Sequence, residues 1–583
     1  MNEVLCGTYL MEDFRPDLVN MVLEKLTPDN IRVAVVGKMF EGRTTQKEEW
    51  YGTDFSLEPI PEDTLQKWRN AGLHENLKLP MRNEFIPTNF DIMPRDEENQ
   101  AIPQVIKDTS LSRLWYRQDD KFLLPKAIVS MELTSSYAYI DPLSTNMTQL
   151  FTMLFQDALN EYTYDADLAG LKYQLVSSYY GLKMSVSGYN DKLHILLQKV
   201  MEKMVSFKID QQRFDVLKEL YVRSLRNFMA EQPHQHAVYY TSVLTSEQLW
   251  TNDELLDATD ELSVERLQMF IPQLLSRLYL EFLVYGNVTR QAALQAVDIV
   301  EQALSKGCTT KPLALSQQRR FREVQMPDGC YYLYRRHNSV HRSSSLEVYY
   351  QCSVQETNTN MLLELFCQII AEPCFDILRT QEQLGYIVFS GLRRACGVQG
   401  LRVIVQSDKS PDYVERRIEA FLLKMATYLD EMTDVEFKKH VEALATKRLE
   451  KPKRLREQHS RYWSEIVSQQ YNFDRDSVEV AHLRSLTKDD IVHFYRELIA
   501  HNAPRRHKLS VHILSTANGA QQQQEAGDGD AQLQQQEQKS LDGMPPSPHL
   551  PQAIEVTDVT AFKRELPLFP LPKPYMKVAK SKL

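Results

Sequence analysis

Between Leu18 and Val36 the alternation of apolar and polar positions predicts a helix, a turn at Pro28-Asp29-Asn30 and then the strand IRVAVVG. No earlier segment supplies neighbouring strands, so the chain is expected to begin within a domain. From about Leu57 to Pro103 the periodicity fails. Pro59, Pro61, Pro80, Pro87, Pro94 and Pro103 interrupt it repeatedly, which predicts a long connector between larger units.

Two similar blocks follow. The first runs through LWYRQDDKFLLPKAIVSMEL, ADLAGLKYQL and YGLKMSVSGY to a helix near RFDVLKELYVRSL. The second runs through YLYRRHNSVHRSSSLEVYYQ, EQLGYIVFSG and QGLRVIVQSD to EFKKHVEALATKRL. Gly170 and Gly385, Gly181 and Gly400, and Phe214 and Phe437 occupy matching points. Each block reads as a strand, helices, a hairpin of alternating residues and a final helical layer, so the fold class is α+β. Two domains of roughly 220 residues on one plan account for the repeat. The stretch from Thr516 to Pro551, with QQQQ, QLQQQEQ and PPSPHLP, is expected to be disordered by composition.

Composition narrows the function. The formal net charge of −10 argues against general nucleic-acid binding, and no run of 18 apolar residues predicts a membrane span. The seven cysteines are odd in number and form no CxxC pair, which disfavours a disulfide framework or a cysteine zinc site and fits a reducing compartment. The N-terminus, MNEVLCGTYLMEDFRP, has no apolar core, so no signal peptide is expected. The ending Ser581-Lys582-Leu583 matches a peroxisomal import tripeptide, with a chance basic ending as the alternative. A cytosolic location, a peroxisomal one, or both are therefore expected.

Several chemistries lack their motifs: GxxxxGK[ST], GxGxxG after a strand and GxSxG are all missing. Among the 14 histidines, neither HExxH nor HxxEH occurs; after His74 the sequence HENLK places lysine where a second ligand would stand. His234 and His236 in EQPHQHA read as hydrogen-bonding residues at a helix end after Pro233 rather than as metal ligands.

The stretch CFDILRTQEQLGYIVFSG holds the strongest candidates. It predicts a helix begun by Pro373 and running to Leu384, a left-handed cap at Gly385, and the strand YIVF. Arg379 and Tyr386 fall close together and both offer donors of the kind an oxyanion needs. Alternatively, Arg379 pairs with Glu382 or Asp376 on its own helix and Tyr386 caps the core. A second cluster, KRLEKPKRLRE, carries Lys447, Arg448, Lys451, Lys453, Arg454 and Arg456, and reads either as an anion-focusing patch or as a solvated helix face. Arg505, Arg506 and Lys508 of APRRHK are expected to extend it.

ELFCQIIAEPCFDILRTQEQLGYIVFSG, with QGLRVIVQS, EQPHQHA, EEWYGT, NEFIPTNF and APRRHK, resembles the insulinase-type, inverted-motif (HxxEH) zinc metallopeptidases over nearly the whole chain. The resemblance implies four homologous α+β domains in two bowl-shaped halves that close on peptides. By it, residues 1–68 are the C-terminal part of the second domain and 69–109 the inter-half connector. Residues 110–323 are the third domain, and 324–515 with 553–575 the fourth, interrupted by the insert 516–552 and followed by the tail 576–583. It places the zinc, its ligands and the general base in a first domain that this chain does not contain. The chain would then be the C-terminal half of a zinc metalloendopeptidase that degrades small peptides in a closed chamber. Arg379 and Tyr386 match its transition-state donors and substrate contacts, Phe375 a substrate-pocket residue, and Lys453 and Arg454 a site for ATP or other polyanions. No metal ligand is expected in the chain. Expected partners are peptide substrates, an N-terminal catalytic half, a second copy as a homodimer, and ATP or a polyanion, with neither nucleic acid nor membrane. The alternatives are a non-catalytic peptide-binding, regulatory or structural homologue without zinc, and an oligomerisation module.

Overall fold

A computed structural model describes residues 13–516 and 550–576, except Pro80 and Asn99, together with Gly7 and Pro548. The Gln- and Pro-rich stretch 517–547 and the ending Ser581-Lys582-Leu583 lie outside the described residues. The chain divides into two compact units, residues 1–82 and 83–583.

The first unit has few regular elements. Its first helix is Pro16–Leu23, with Pro16 at the opening turn, and it ends well before Val36. A single 3-10 turn, Pro28–Asn30, stands where the turn is predicted. The predicted strand IRVAVVG is not formed: residues 31–37 carry no strand assignment, and Ile31, Val33, Val35 and Val36 are all at least half exposed. Alternation alone makes no strand, because the backbone N–H and C=O groups need a neighbour to bond. A short hairpin, β1 (Gln46–Lys47) with β2 (Asp54–Phe55), and the helix Glu62–Arg69 complete the unit. Arg69 ties that helix back to Asp29 and also pairs with Glu62 at the helix's own start.

The second unit holds two sheets of one design. The first comprises β3 (Gln104–Asp108), β4 (Ser112–Gln118), β5 (Lys126–Thr134), β6 (Lys172–Ser178), β7 (Gly181–Tyr189), β8 (Arg277–Gly286) and β9 (Lys311–Pro312). Its order is β3-β4-β8-β5-β7-β6, with β9 alongside the start of β8. The second comprises β10 (Cys330–Asn338), β11 (Ser344–Val354), β12 (Ile387–Ala395), β13 (Val398–Ser407), β14 (His507–Ser515) and β15 (Ile554–Glu555), in the order β15-β10-β14-β11-β13-β12. Five strands of each sheet correspond one to one, and in each sheet the last long strand pairs parallel with the first, β4 with β8 and β10 with β14. This is the mixed α+β plan predicted from the repeat.

The connector is not free along its whole length. Phe85 is buried in the first core, edge-on to Tyr162, and Gln104–Asp108 forms the edge strand of the first sheet. The stretch 550–576 returns to the second sheet, where β15 pairs with β10 and Leu568 bridges to Val324.

Each sheet buries one face under helices of its own block. Leu150, Phe151, Phe155, Leu196 and Val200 pack on the first sheet, and Leu363, Phe366, Ile370 and Phe421 on the second. The other faces are covered reciprocally. The helix Pro233–Thr245 lays Ala237, Val243 and Leu244 against Tyr349, Leu509 and Val511 of the second sheet. The helix Leu455–Val467 lays Leu455, Tyr462 and Ile466 against Trp115, Leu283 and Tyr285 of the first. Fully buried aromatic side chains on both sides give this exchange a large apolar area, which makes the two blocks one structural unit.

Candidate functional site

The helix Thr357–Cys374 carries the second core and is apolar along its buried face from Met361 to Ile370. Pro373 does not begin a new helix; it lies inside the last turn of this one. Proline cannot donate to the carbonyl four residues back, and beyond it the chain widens into a π-helix, Phe375–Gln381. The wider register is visible where Glu382 N donates to Ile377 O, five residues back, at 2.9 Å; Leu384 N closes the turn on Leu378 O at 3.0 Å. The left-handed residue that ends the turn is Gln383, with φ of 50°, and not Gly385. Gly385 is required for a different reason: a Cβ there would stand 1.9 Å from the Gln406 carbonyl oxygen on β13. The chain can reach β12 only by passing this close.

This corner brings Phe375, Arg379 and Tyr386 together. The Arg379 guanidinium carbon lies 4.6 Å from the Phe375 ring centroid and 4.5 Å from that of Tyr386, so the cation is held between two aromatic faces. Its candidate partners on the helix are engaged elsewhere. Glu382 is buried and accepts from Arg417 Nε and Nη2 at 2.7 and 2.8 Å. Asp376 accepts from Gln381 Nε2 at 2.7 Å. Among the described residues Arg379 has no hydrogen bond or ion pair, so the local-pair alternative fails. Tyr386 is 83% exposed and caps no core. Phe375 is also exposed. The arrangement leaves the guanidinium edge and the phenol hydroxyl with unspent donors beside each other, where a carbonyl oxygen gaining negative charge would be stabilised.

The basic cluster behaves differently. Lys453 and Arg454 are exposed at the start of the helix Leu455–Val467, and Lys453 Nζ pairs with Glu450 at 2.7 Å. Arg448 belongs to the interior framework, bonded to Glu364 at 2.5 Å and to Glu479. Arg456 donates to Ser187 Oγ at 3.2 Å. Arg506 and Lys508 do not join this patch. Lys508 is fully buried on β14, 2.6 Å from Glu415 and 2.8 Å from Glu419, and Arg506 bonds Glu419 at 2.7 Å. Burial alone would raise the Glu419 carboxyl, yet Lys508 and Arg506 hold it well below its ordinary value. No hydrogen bond, ion pair or ring contact among the described residues links Lys453 or Arg454 to the corner.

His234 and His236 sit in the first turn of the helix Pro233–Thr245. His234 Nδ1 lies 2.9 Å from Gln406 Oε1 and His236 Nε2 lies 3.1 Å from the Glu231 carbonyl, as expected for hydrogen-bonding residues. Among the described residues no three His, Cys, Asp or Glu side chains converge to hold a metal ion. No described helix is long and apolar enough to cross a membrane.

Two family models match the chain: the middle or third domain of peptidase M16 over residues 1–258, and the C-terminal lobe domain 4 of a PqqF-like PQQ synthase over 365–463. Insulin-degrading enzyme of Homo sapiens is 53% identical over 583 residues, covering 100% of this chain and 56% of that protein. The chain belongs to the M16 peptidase family. It spans about half the length of the curated relatives it matches, and corresponds to their C-terminal portion. An M16 relative from Arabidopsis thaliana, "Insulin-degrading enzyme-like 1, peroxisomal", is 34% identical over 569 residues, covering 97% of this chain and 56% of that protein. The crystal structure of pitrilysin shares the fold with a TM-score of 0.80 at 21% identity, over 98% of this chain and 57% of that one.

Glu382 and Arg417, which fix the corner, escaped the sequence. They are far apart in the chain, and neither spacing nor periodicity couples them.

Proposed function

We propose that this chain is the C-terminal half of an insulysin-like zinc metalloendopeptidase, binding peptide and supplying two transition-state donors. The observation that carries this reading is the Arg379 stack: the guanidinium is held by Phe375 and Tyr386 and, among the described residues, spends none of its hydrogen-bonding capacity. In this reading the zinc is held by the N-terminal half and not by this chain. When bound elsewhere it supplies the activation of water that hydrolysis requires.

The residues of this half act by position and charge. Phe375 packs against one face of the guanidinium and lines the pocket for a substrate side chain. Arg379 and Tyr386 donate to the scissile carbonyl oxygen as it becomes an oxyanion; each such donor contributes on the order of 3 kcal/mol to the transition state. Residues 1–68 are the end of a second domain, 69–109 the connector, 110–323 a third domain, and 324–515 with 553–575 a fourth. Lys453 and Arg454, both exposed, form a polyanion site. Ser581-Lys582-Leu583 directs the protein to peroxisomes alongside a cytosolic pool.

The test joins this chain to a zinc-bearing N-terminal M16 half and follows cleavage of a fluorogenic peptide. Tyr386→Phe and Arg379→Met are each expected to lower kcat about 10²–10³-fold with little change in KM. An unchanged kcat in both variants would remove the oxyanion role. A joined protein without activity would favour the non-catalytic alternative.

A further inference from the structure

A cavity of about 1210 Å3 in the second unit lies against the first sheet; its wall includes Arg394, Ala395 and Cys396 at the end of β12, but not Phe375, Arg379 or Tyr386. Its floor is a row of charges across four strands. Arg113 on β4 is directly opposite Glu281 on β8, Glu281 is opposite Glu132 on β5, and Glu132 is opposite Lys183 on β7. All four line the cavity. Two carboxylates therefore stand side by side between two cations, an arrangement that costs stability unless something bridges it.

The row is incompletely satisfied. Glu132 is fully buried; Oε2 accepts from Arg320 at 2.9 Å, but among the described residues Oε1 has no hydrogen bond and only Lys183 Nζ at 4.0 Å. Glu281 accepts from Trp115 Nε1 at 2.6 Å, and burial nevertheless lifts its carboxyl up to about 7. The wall is strained as well. Cys396, Gln469 and Tyr471 line the cavity with φ of 47°, 57° and 55°, three of the six non-glycine residues with positive φ among those described. Strain persists where surrounding structure enforces it, and it concentrates at binding sites. A large cavity with an unmet buried acceptor, a perturbed acid and strained walls has the character of a ligand site.

The charges select the ligand. A simple anion would face Glu132 and Glu281, and a simple cation would face Arg113, Arg320 and Lys183. A molecule with an ammonium at one end and a carboxylate at the other meets both. From Glu281 to Lys183 is two inter-strand spacings, about 9–10 Å. An extended chain of about three residues spans that distance. We propose that this cavity binds short zwitterionic peptides of about three residues, with the N-terminal ammonium on Glu132 and Glu281 and the C-terminal carboxylate on Lys183. Tyr279, Phe321 and Tyr471 supply apolar wall for the peptide's side chains. The site stands on its own chemistry and does not depend on the role of Arg379 and Tyr386.

Calorimetric titration of the full chain with tri-alanine tests it. Free tri-alanine is expected to bind saturably, and N-acetylation or C-amidation to weaken binding at least tenfold each. In Glu132→Gln the preference for the free over the N-acetylated peptide should shrink; in Lys183→Met the free and amidated peptides should bind alike. Ser468→Trp, at an exposed position of the lining, should block the cavity while circular dichroism reports an intact fold. Tyr386→Phe should bind tri-alanine as the unaltered chain does; loss there would move the ligand to the corner and overturn the proposal. Absent saturable binding, or equal affinity for free and blocked peptides, would overturn it too, and both outcomes are read on the unaltered protein. Neither outcome bears on the kcat test of the corner.

Discussion

A guanidinium between two rings is oriented without being neutralised. A carboxylate in the place of Phe375 or Tyr386 would fix Arg379 as firmly, but would absorb the field that a developing oxyanion needs. Gly385 works at the same scale by lacking a side chain. Its absent Cβ leaves room for the Gln406 carbonyl, and any substituent there collides with backbone at the open end of the β12–β13 hairpin. Gly385→Ala is therefore expected to destabilise the second unit by about 2–4 kcal/mol, because neither strand can yield without breaking ladder bonds. Urea unfolding followed by tryptophan fluorescence measures this. A loss below about 1 kcal/mol would mean that the corner relaxes freely.

At the scale of elements, the corner depends on how the π-helix is pinned. Glu382 closes the turn and is locked to Arg417 on the helix Pro411–Glu431 by a bidentate pair that is buried on both sides. Removing one partner strands a buried charge. Arg417→Met is expected to cost about 3–5 kcal/mol, and the double variant Arg417→Met with Glu382→Leu substantially less. A double-mutant cycle in denaturant checks this; additive losses would mean that the pair is not coupled. This level also marks where the sequence was legible. The two-block repeat, the strands around YGLKMSVSGY and QGLRVIVQSD, and the closeness of Arg379 to Tyr386 follow from local alternation and spacing. The π-register after Pro373, the cap at Gln383 and the Glu382–Arg417 lock depend on contacts between distant segments, which no local period encodes. IRVAVVG shows the converse: an alternating pattern is a strand only where another strand meets it. The placement of Arg506 and Lys508 failed for a related reason, since a basic run at a strand start looks solvated until Glu415 and Glu419 of another helix are brought over it.

Across the whole molecule, the reciprocal packing of the two blocks seals charged residues between them, and their protonation becomes part of the folding equilibrium. Glu281 is the clearest case. Burial is the largest influence and raises its carboxyl; the Trp115 hydrogen bond, Arg113 and Arg320 oppose it, and Glu132 adds to it, leaving the group at about 7. In the unfolded chain it titrates near its ordinary value of about 4.5. Between these limits the folded state holds more protons than the unfolded one. The sign follows: this contribution is complete below about pH 4.5 and is lost as pH rises toward 7, amounting to about 3 kcal/mol. Glu281→Gln keeps an acceptor for Trp115 and removes the titration. The difference in unfolding free energy between the variant and the unaltered chain should therefore shift in the variant's favour from pH 5 to pH 7.5. A difference independent of pH over that range would mean that the carboxylate is stabilised by the surrounding cations after all, and that the row Arg113, Glu281, Glu132 and Lys183 is electrically closed without a ligand.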